Sequence, residues 1–350
     1  MRHVVVVAVA LAAAFIPTPA SWIESLYSRQ LYLVVQNLLT PASDVVRFAV
    51  FDALLFAAVV GVPGWWAVAF WRAGRRGRRW RTAGRMAMNT AALAAALYLV
   101  FLLVWGLNYR RVPLSTKLGF ERGLVNPQAL SQLTAFAVDR LNRLHPTAHA
   151  AGWAGLEELP GRMNTAFGAT QVMLGSGRTA VGGQPKPTLM TPYFRVAGIS
   201  AMISPFSLEV LVNNDVLPFE RPSVVAHEWA HLAGYADESE ASFVGWLTCL
   251  AGDAASEYSA WLSLTPRLMR YQDSERQAAV WVSMDEGPLE DLRAIAARVS
   301  TVVPAVQRNA SRVYDGYLRA NRVDAGIASY GLVVDLVLGT RLGQRAWSGI

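Results

Sequence analysis

Pro222-Ser223-Val224-Val225-Ala226-His227-Glu228-Trp229-Ala230-His231-Leu232-Ala233-Gly234 holds two histidines four residues apart, with a glutamate directly after the first. Proline suits the first turn of a helix and glycine the position just past its end, so the segment predicts a helix from Pro222 to Ala233. Four residues on a helix return to the same face, which lets His227 and His231 offer a ring nitrogen each to one metal ion. Glu228 sits about 100° round the helix, within reach of a water on that metal but not of the metal itself. The pattern H-E-x-x-H therefore assigns His227 and His231 as metal ligands and Glu228 as general base. Val224, Val225, Trp229 and Leu232 give the helix an apolar side for packing.

A catalytic zinc takes three protein ligands and keeps a further position for water, so one ligand remains to be found. Asp237 completes H-E-x-x-H-x-x-G-x-x-D, the metzincin spacing with Asp in place of the last His. Glu238 opens Glu238-Ser239-Glu240-Ala241-Ser242, close to the E-x-x-A-(D/N) signature that supplies the third ligand in many gluzincin peptidases. Glu240 is the remaining acid. Asp237 and Glu240 also form a capping box before the apolar run Phe243 to Leu250, which gives both of them a structural role in opening a second helix. The order of preference is Glu238, then Glu240, then Asp237.

With its Gly234 and the Glu238 to Ser242 block, the stretch Pro222 to Leu250 resembles a bacterial membrane-protein family of unassigned function that carries a gluzincin-like zinc peptidase motif. The likeness extends to Glu209-Val210-Leu211-Val212-Asn213 and to the hydrophobic amino-terminal part. Ser242 stands where that pattern has Asn, which puts one contact to a ligand in doubt. The resemblance implies a membrane-tethered, zinc-dependent peptidase with no assigned substrate.

Composition points to a membrane without help from the motif. The chain has 350 residues, 53% hydrophobic and only 16% charged, and the apolar excess lies near the amino end. Three segments, about 4–23, 48–71 and 87–107, approach the roughly 20 apolar residues that a span requires. Pro17 and Pro19 interrupt the first, which is read as an uncleaved anchor in preference to a signal peptide. Asp52 and Pro63-Gly64 predict a kink in the second. Seven arginines and no acid lie between Arg72 and Arg85, equal to the whole formal net charge of +7. A short basic loop of this kind belongs in the cytoplasm. The basic balance is thus a topology signal, and nucleic-acid binding is excluded as a reading of it.

This topology divides the chain into a membrane region, 1–108, with residues 24–47 as an external segment, and an extracytoplasmic domain, 109–350. The expected fold is α+β and helix-rich, with amino-terminal transmembrane helices followed by a zincin-like domain of the bacterial cytoplasmic membrane. Helices are predicted from Asn126-Pro127 onward, over Pro288 to Val299 and over Val303 to Ala320, with a core helix over Ile327 to Leu338. Gly161 to Phe206 reads as loops and short strands. Leu208 to Asn213 reads as a strand bordering the cleft, so Glu209 and Asn213 become candidate substrate contacts by strand addition. Pro146 is expected to end its helix at His145, which discounts His145 and His149 as a ligand pair. Cys249, the lone cysteine, is read as core packing.

The expected activity is hydrolysis of peptide bonds, with Zn2+ held by His227, His231 and one of the three acids. Tyr258 is the candidate donor to the oxyanion. The rival is a non-catalytic membrane receptor or scaffold with a zinc site in a peptidase-like fold. Intact Glu228 argues against that rival, because a purely structural site needs no base. A transporter is disfavoured by three spans with a single internal acid. Substrate preference and oligomeric state stay open.

Overall fold

A computed structural model describes residues 2–74, 79–323 and 326–348. The arginine loop between the second and third apolar segments falls in part, at 75–78, outside the described residues. Helices of seven or more residues are numbered here in chain order. The amino-terminal apolar segment is two helices, α1 (Arg2–Phe15) and α2 (Ala20–Asp44), bent by 105° at the break between them. Pro17 and Pro19 lie in that break, where each removes a backbone donor and resists continuation of the helix.

Among the described residues two helices, α3 (Val50–Ala73) and α4 (Trp80–Val104), are long and apolar enough to cross a membrane. Pro63 and Gly64 do not break α3; a π-helical turn at Ala57–Gly61 precedes them and absorbs the irregularity. Asp52, in the first turn of α3, accepts hydrogen bonds from Thr188 Oγ1 at 2.7 Å and the Leu189 N–H at 2.8 Å. The acid therefore ties the end of the span to the rest of the protein.

The expected division at residue 108 does not separate two cores. Helix α2 is built into the same core as the remainder of the chain: the Tyr32 hydroxyl donates to Leu232 O at 2.8 Å and Thr40 Oγ1 to Leu208 O at 2.7 Å. Phe101, Leu102 and Trp105, at the end of α4 and just beyond it, join that core too. The sequence placed residues 24–47 as an external segment because the arginine loop fixes the direction of the flanking apolar segments. Its polar residues serve packing: Gln36 and Thr40 are buried with their hydrogen bonds made inside the protein.

Helix α5 (Pro127–Ala151) starts at Asn126, whose side chain accepts from the Ala129 N–H at 2.9 Å. It runs through Pro146 rather than stopping at His145, with Ala148 beyond the proline fully buried. Helix α6 (Leu159–Met173) occupies a stretch expected to be loop and strand; its apolar positions do not gather on one face, so periodicity could not reveal it.

A three-stranded sheet follows in the order β1 (Pro185–Pro187), β3 (Val210–Val212), β2 (Ala201–Ile203). β1 pairs parallel to β3 and β2 antiparallel, with Val212 opposite Pro187 and Ala201. Helix α7 (Thr191–Ala197) lies between β1 and β2 in the chain. The strand expected at the cleft edge is therefore the central one, buried and paired on both sides, and cannot accept a further strand. The outer strand on the cleft side is β2.

Helices α8 (Arg221–Leu232), α9 (Glu238–Leu250) and α10 (Ala254–Met269) form the centre. Residues Glu238 to Cys249 of α9 are all buried. Gly245 lets α9 lie directly on α8: a Cβ there would stand 2.8 Å from the His227 backbone nitrogen. Cys249 packs in this core, and burial pushes its thiol well above the ordinary range. Helices α11 (Ser274–Ser283), α12 (Glu286–Val299) and α13 (Pro304–Ala320) lie farther along, near the bounds read for the last two. A 3-10 segment (Gly326–Leu332), the buried α14 (Val333–Gly339) and α15 (Arg341–Ser348) complete the chain.

Candidate metal centre

His227 and His231 lie on one face of α8 with ring centroids 4.8 Å apart and planes nearly perpendicular. Both Nε2 atoms point at one oxygen of Glu238, the first residue of α9: Oε2 is 3.1 Å from His227 and 3.3 Å from His231. The turn between the helices makes this possible. Gly234, at φ +81°, takes the left-handed conformation that reverses the chain after α8. Asp237 caps α9, accepting from the backbone N–H groups of Ser239 and Glu240, so Glu238 emerges in the first turn facing the histidines.

The remaining polar atoms of the three side chains are held. His231 Nδ1 lies 2.7 Å from the Tyr235 carbonyl oxygen and His227 Nδ1 3.2 Å from Ser242 Oγ. Ser242 thus makes the contact its identity had put in doubt. Glu238 Oε1 accepts from the Tyr314 hydroxyl.

Ligand atoms 2.0–2.2 Å from a tetrahedral ion stand roughly 3.3–3.6 Å apart. The two histidine-to-carboxylate distances are close to that, and all three ligand atoms lie within 4.8 Å of one another. Two imidazoles with occupied Nδ1 atoms and a clamped carboxylate are the donor set of an oriented metal site. His227, His231 and Glu238 could hold a metal ion.

Glu228 is buried beside them, and burial above all pushes its carboxyl up to about 8, the Glu238 charge adding to this and His231 and the Ile203 N–H opposing. Burial favours neutral His231, but the Glu238 charge outweighs it and raises the imidazole to about 9. Burial alone would raise Glu238; the two imidazoles reverse that and keep it well below the usual carboxylate range. Low dielectric makes such couplings large on both sides.

All four residues line a cleft of about 1690 Å³. Its walls include β2, Tyr109, Tyr314, Tyr317 and Tyr330, with Arg267 and Arg270 at one side. Tyr330 stacks on His227 with centroids 6.3 Å apart. Sequence reasoning missed this tyrosine group. Tyr314 and Tyr317 were legible as one face of a predicted helix, but nothing in their spacing told which helix that face would meet.

Other expected site residues lie elsewhere. Glu240 accepts from the Leu114 N–H at 2.5 Å, and its Oε1 is spent there rather than on the histidines. Asp237 is the helix cap. Tyr258 is fully buried and donates to Asp291 Oδ2 at 2.6 Å, away from the cleft lining, so it cannot meet an oxyanion there. Glu209 is fully buried, paired with Lys186 at 3.0 Å and accepting from the Val50 and Phe51 N–H groups. Asn213 donates to Ile199 O and accepts from the Asp215 N–H. Neither residue is among those that line the cleft. The helix through Pro146 brings His145 and His149 to Asp291, with His149 Nε2 2.9 Å from Oδ2, so this pair is assembled after all.

Residues 27–338 match the family described as protein of unknown function (DUF3810), and the chain belongs to that family. No curated protein and no solved structure matches the chain.

Proposed function

We propose that this protein is a membrane-anchored, zinc-dependent metallopeptidase of gluzincin type. The observation that carries the reading is the convergence of His227 Nε2 and His231 Nε2 on Glu238 Oε2 in a cleft that also contains the buried Glu228. His227, His231 and Glu238 would hold the ion. When bound, zinc supplies Lewis acidity for the scissile carbonyl and lowers the pKa of its water.

The chain's own residues account for the proton movements. Glu228 as carboxylate takes a proton from the attacking water as the oxygen adds to the carbonyl carbon. It returns that proton to the amine nitrogen as the C–N bond breaks. A carboxyl raised by burial toward neutrality is suited to the return of the proton, and a bound metal ion would favour its carboxylate form for the first transfer. Tyr330, beside His227 in the cleft, replaces Tyr258 as the hydroxyl donor to the developing oxyanion. The outer strand β2 lines the cleft, and the Ile203 N–H bonds Glu228. A peptide backbone laid along β2 passes the base, in the role first given to the segment of Glu209 and Asn213.

By the positive-inside rule the arginine-rich loop would lie in the cytoplasm, which would leave the cleft outside it. Elemental analysis of detergent-purified wild type, Glu228→Gln and Glu238→Ala, with cleavage of a broad peptide library, tests the reading. One zinc per chain in wild type and Glu228→Gln, cleavage by wild type alone and metal loss in Glu238→Ala are expected. Zinc without cleavage favours a receptor or scaffold, and a wild type without zinc overturns the site.

A further inference from the structure

We infer that the cleft draws its substrate from the bilayer: a peptide whose scissile bond lies next to a long apolar anchor embedded in the membrane. The inference rests on the peptidase reading for its chemistry and on different residues for its geometry.

The cleft wall nearest the membrane is made by the spans themselves. Phe51, in the first turn of α3, and Leu97, Tyr98 and Phe101, near the end of α4, all line the same cleft as His227 and Glu228. Leu97 precedes Val104, the last residue of α4, by seven residues, which is roughly 10 Å along the axis. The cleft therefore descends alongside α4 to a depth that hydrocarbon occupies around a helix of this length.

Lining and size agree with that position. Ile199, Met202, Phe206, Val306 and Val313 continue the apolar surface from β2 to α13. Leu97 is 48% exposed although it lines the cleft, and Leu93, Val100 and Leu103 of the same helix are exposed to similar degrees. Cleft and lipid-facing surface are thus continuous on α4. The volume, about 1690 Å³, exceeds the roughly 300–1,000 Å³ of a small-ligand pocket. It has room for a peptide segment at the metal residues and an apolar chain beside α4. A purely water-soluble peptide would leave that wall without a partner.

Two anchors share this chemistry, an acyl chain and an apolar helix, and the test separates them. Full-length protein in lipid nanodiscs is given one peptide library in three forms: unmodified, amino-terminally hexadecanoylated, and fused to an apolar 20-residue tail. Turnover is read for wild type, Leu97→Trp and Leu103→Trp, and binding of a fluorescent hexadecanoyl peptide is read on Glu228→Gln with and without Leu97→Trp. An anchored form cleaved with kcat/KM about 10-fold or more above the unmodified form is expected, and whichever form is preferred identifies the anchor. Leu97→Trp, which fills the wall, should collapse that ratio, whereas Leu103→Trp, outside the cleft, should keep it. Equal cleavage of all forms, indifferent to Leu97→Trp, overturns the inference and leaves the peptidase reading intact. Leu97-dependent binding of the hexadecanoyl peptide without cleavage of anything supports the bilayer-fed cleft and removes the peptidase reading. The absence of both cleavage and Leu97-dependent binding also overturns the inference.

Discussion

Nδ1 of His231 lies 2.7 Å from the carbonyl oxygen of Tyr235. A carbonyl only accepts, so Nδ1 carries a hydrogen there, which leaves Nε2, the nitrogen facing Glu238, as the one that would ligate a metal. The turn that delivers this carbonyl is closed by Gly234 N–H to His231 O at 2.9 Å and Tyr235 N–H to Ala230 O at 3.1 Å. Gly234 holds it in the left-handed region, with a would-be Cβ 2.9 Å from Asn108 Oδ1 and 3.1 Å from a Tyr32 ring carbon. Gly234→Ala should therefore cost about 1–3 kcal/mol of stability and weaken metal binding about tenfold. Thermal unfolding and competition against a chromophoric chelator measure the two effects.

Tyr314 reaches the same site from α13 by donating its hydroxyl to Glu238 Oε1. Phenylalanine keeps the ring and its packing on Tyr317 but removes the donor. Tyr314→Phe should lower metal affinity about 10–100-fold with little change in unfolding temperature once the metal is chelated. Unchanged affinity would mean that Glu238 is oriented by α9 alone.

Glu209 was read from sequence as a substrate contact, and its burial against Lys186 predicts something different. Lys186 is 2% exposed, with Nζ 3.0 Å from Glu209 and 2.6 Å from Ser43 O. Glu209→Ala leaves that buried ammonium with only the more distant Asp44, 4.0 Å away, as counter-charge, at a cost of about 3–5 kcal/mol. Adding Lys186→Met should restore much of the loss. Chemical unfolding of both variants tests this, and KM in the folded fraction should stay at the wild-type value.

The cluster that could hold a metal was legible because one helix and one turn contain it. His227, Glu228 and His231 share α8, and the cap at Asp237 aims Glu238 after a turn that Gly234 announces; local rules sufficed. What escaped depends on long-range placement. Tyr314 meets Glu238 and Tyr330 meets His227 across some 76 and 103 residues of chain, and no periodicity encodes a partner. Strand Val210–Val212 was found by alternation, but alternation does not say whether a strand is outer or central, and so Asn213 was assigned to the wrong edge. Pro146 failed as a helix stop because the burial of Ala148 and the contact of His149 with Asp291, both beyond the proline, outweigh the lost backbone bond. Helix α2 hid its burial behind Gln36 and Thr40, polar residues whose partners are in other elements.

Lys117 makes a last prediction, for stability against pH. It is largely buried and lies 3.0 Å from Glu24, with Arg111 on the same carboxylate. Burial first, and then the Arg111 charge, push the ammonium down to about 8 from 10.5, against the opposing pull of Glu24. The unfolded chain therefore binds more protons at Lys117 than the folded one between about pH 8 and pH 10.5, so this group makes stability rise with pH across that window. Below pH 8 both states are protonated and the penalty is fully present. Lys117→Met removes the titration, and the wild-type stability relative to this variant should improve by about 2–3 kcal/mol between pH 7.5 and pH 10.5. Urea unfolding of both proteins in the same detergent at three pH values measures the difference. A constant or falling difference would show that the Glu24 carboxylate, rather than burial, governs this ammonium.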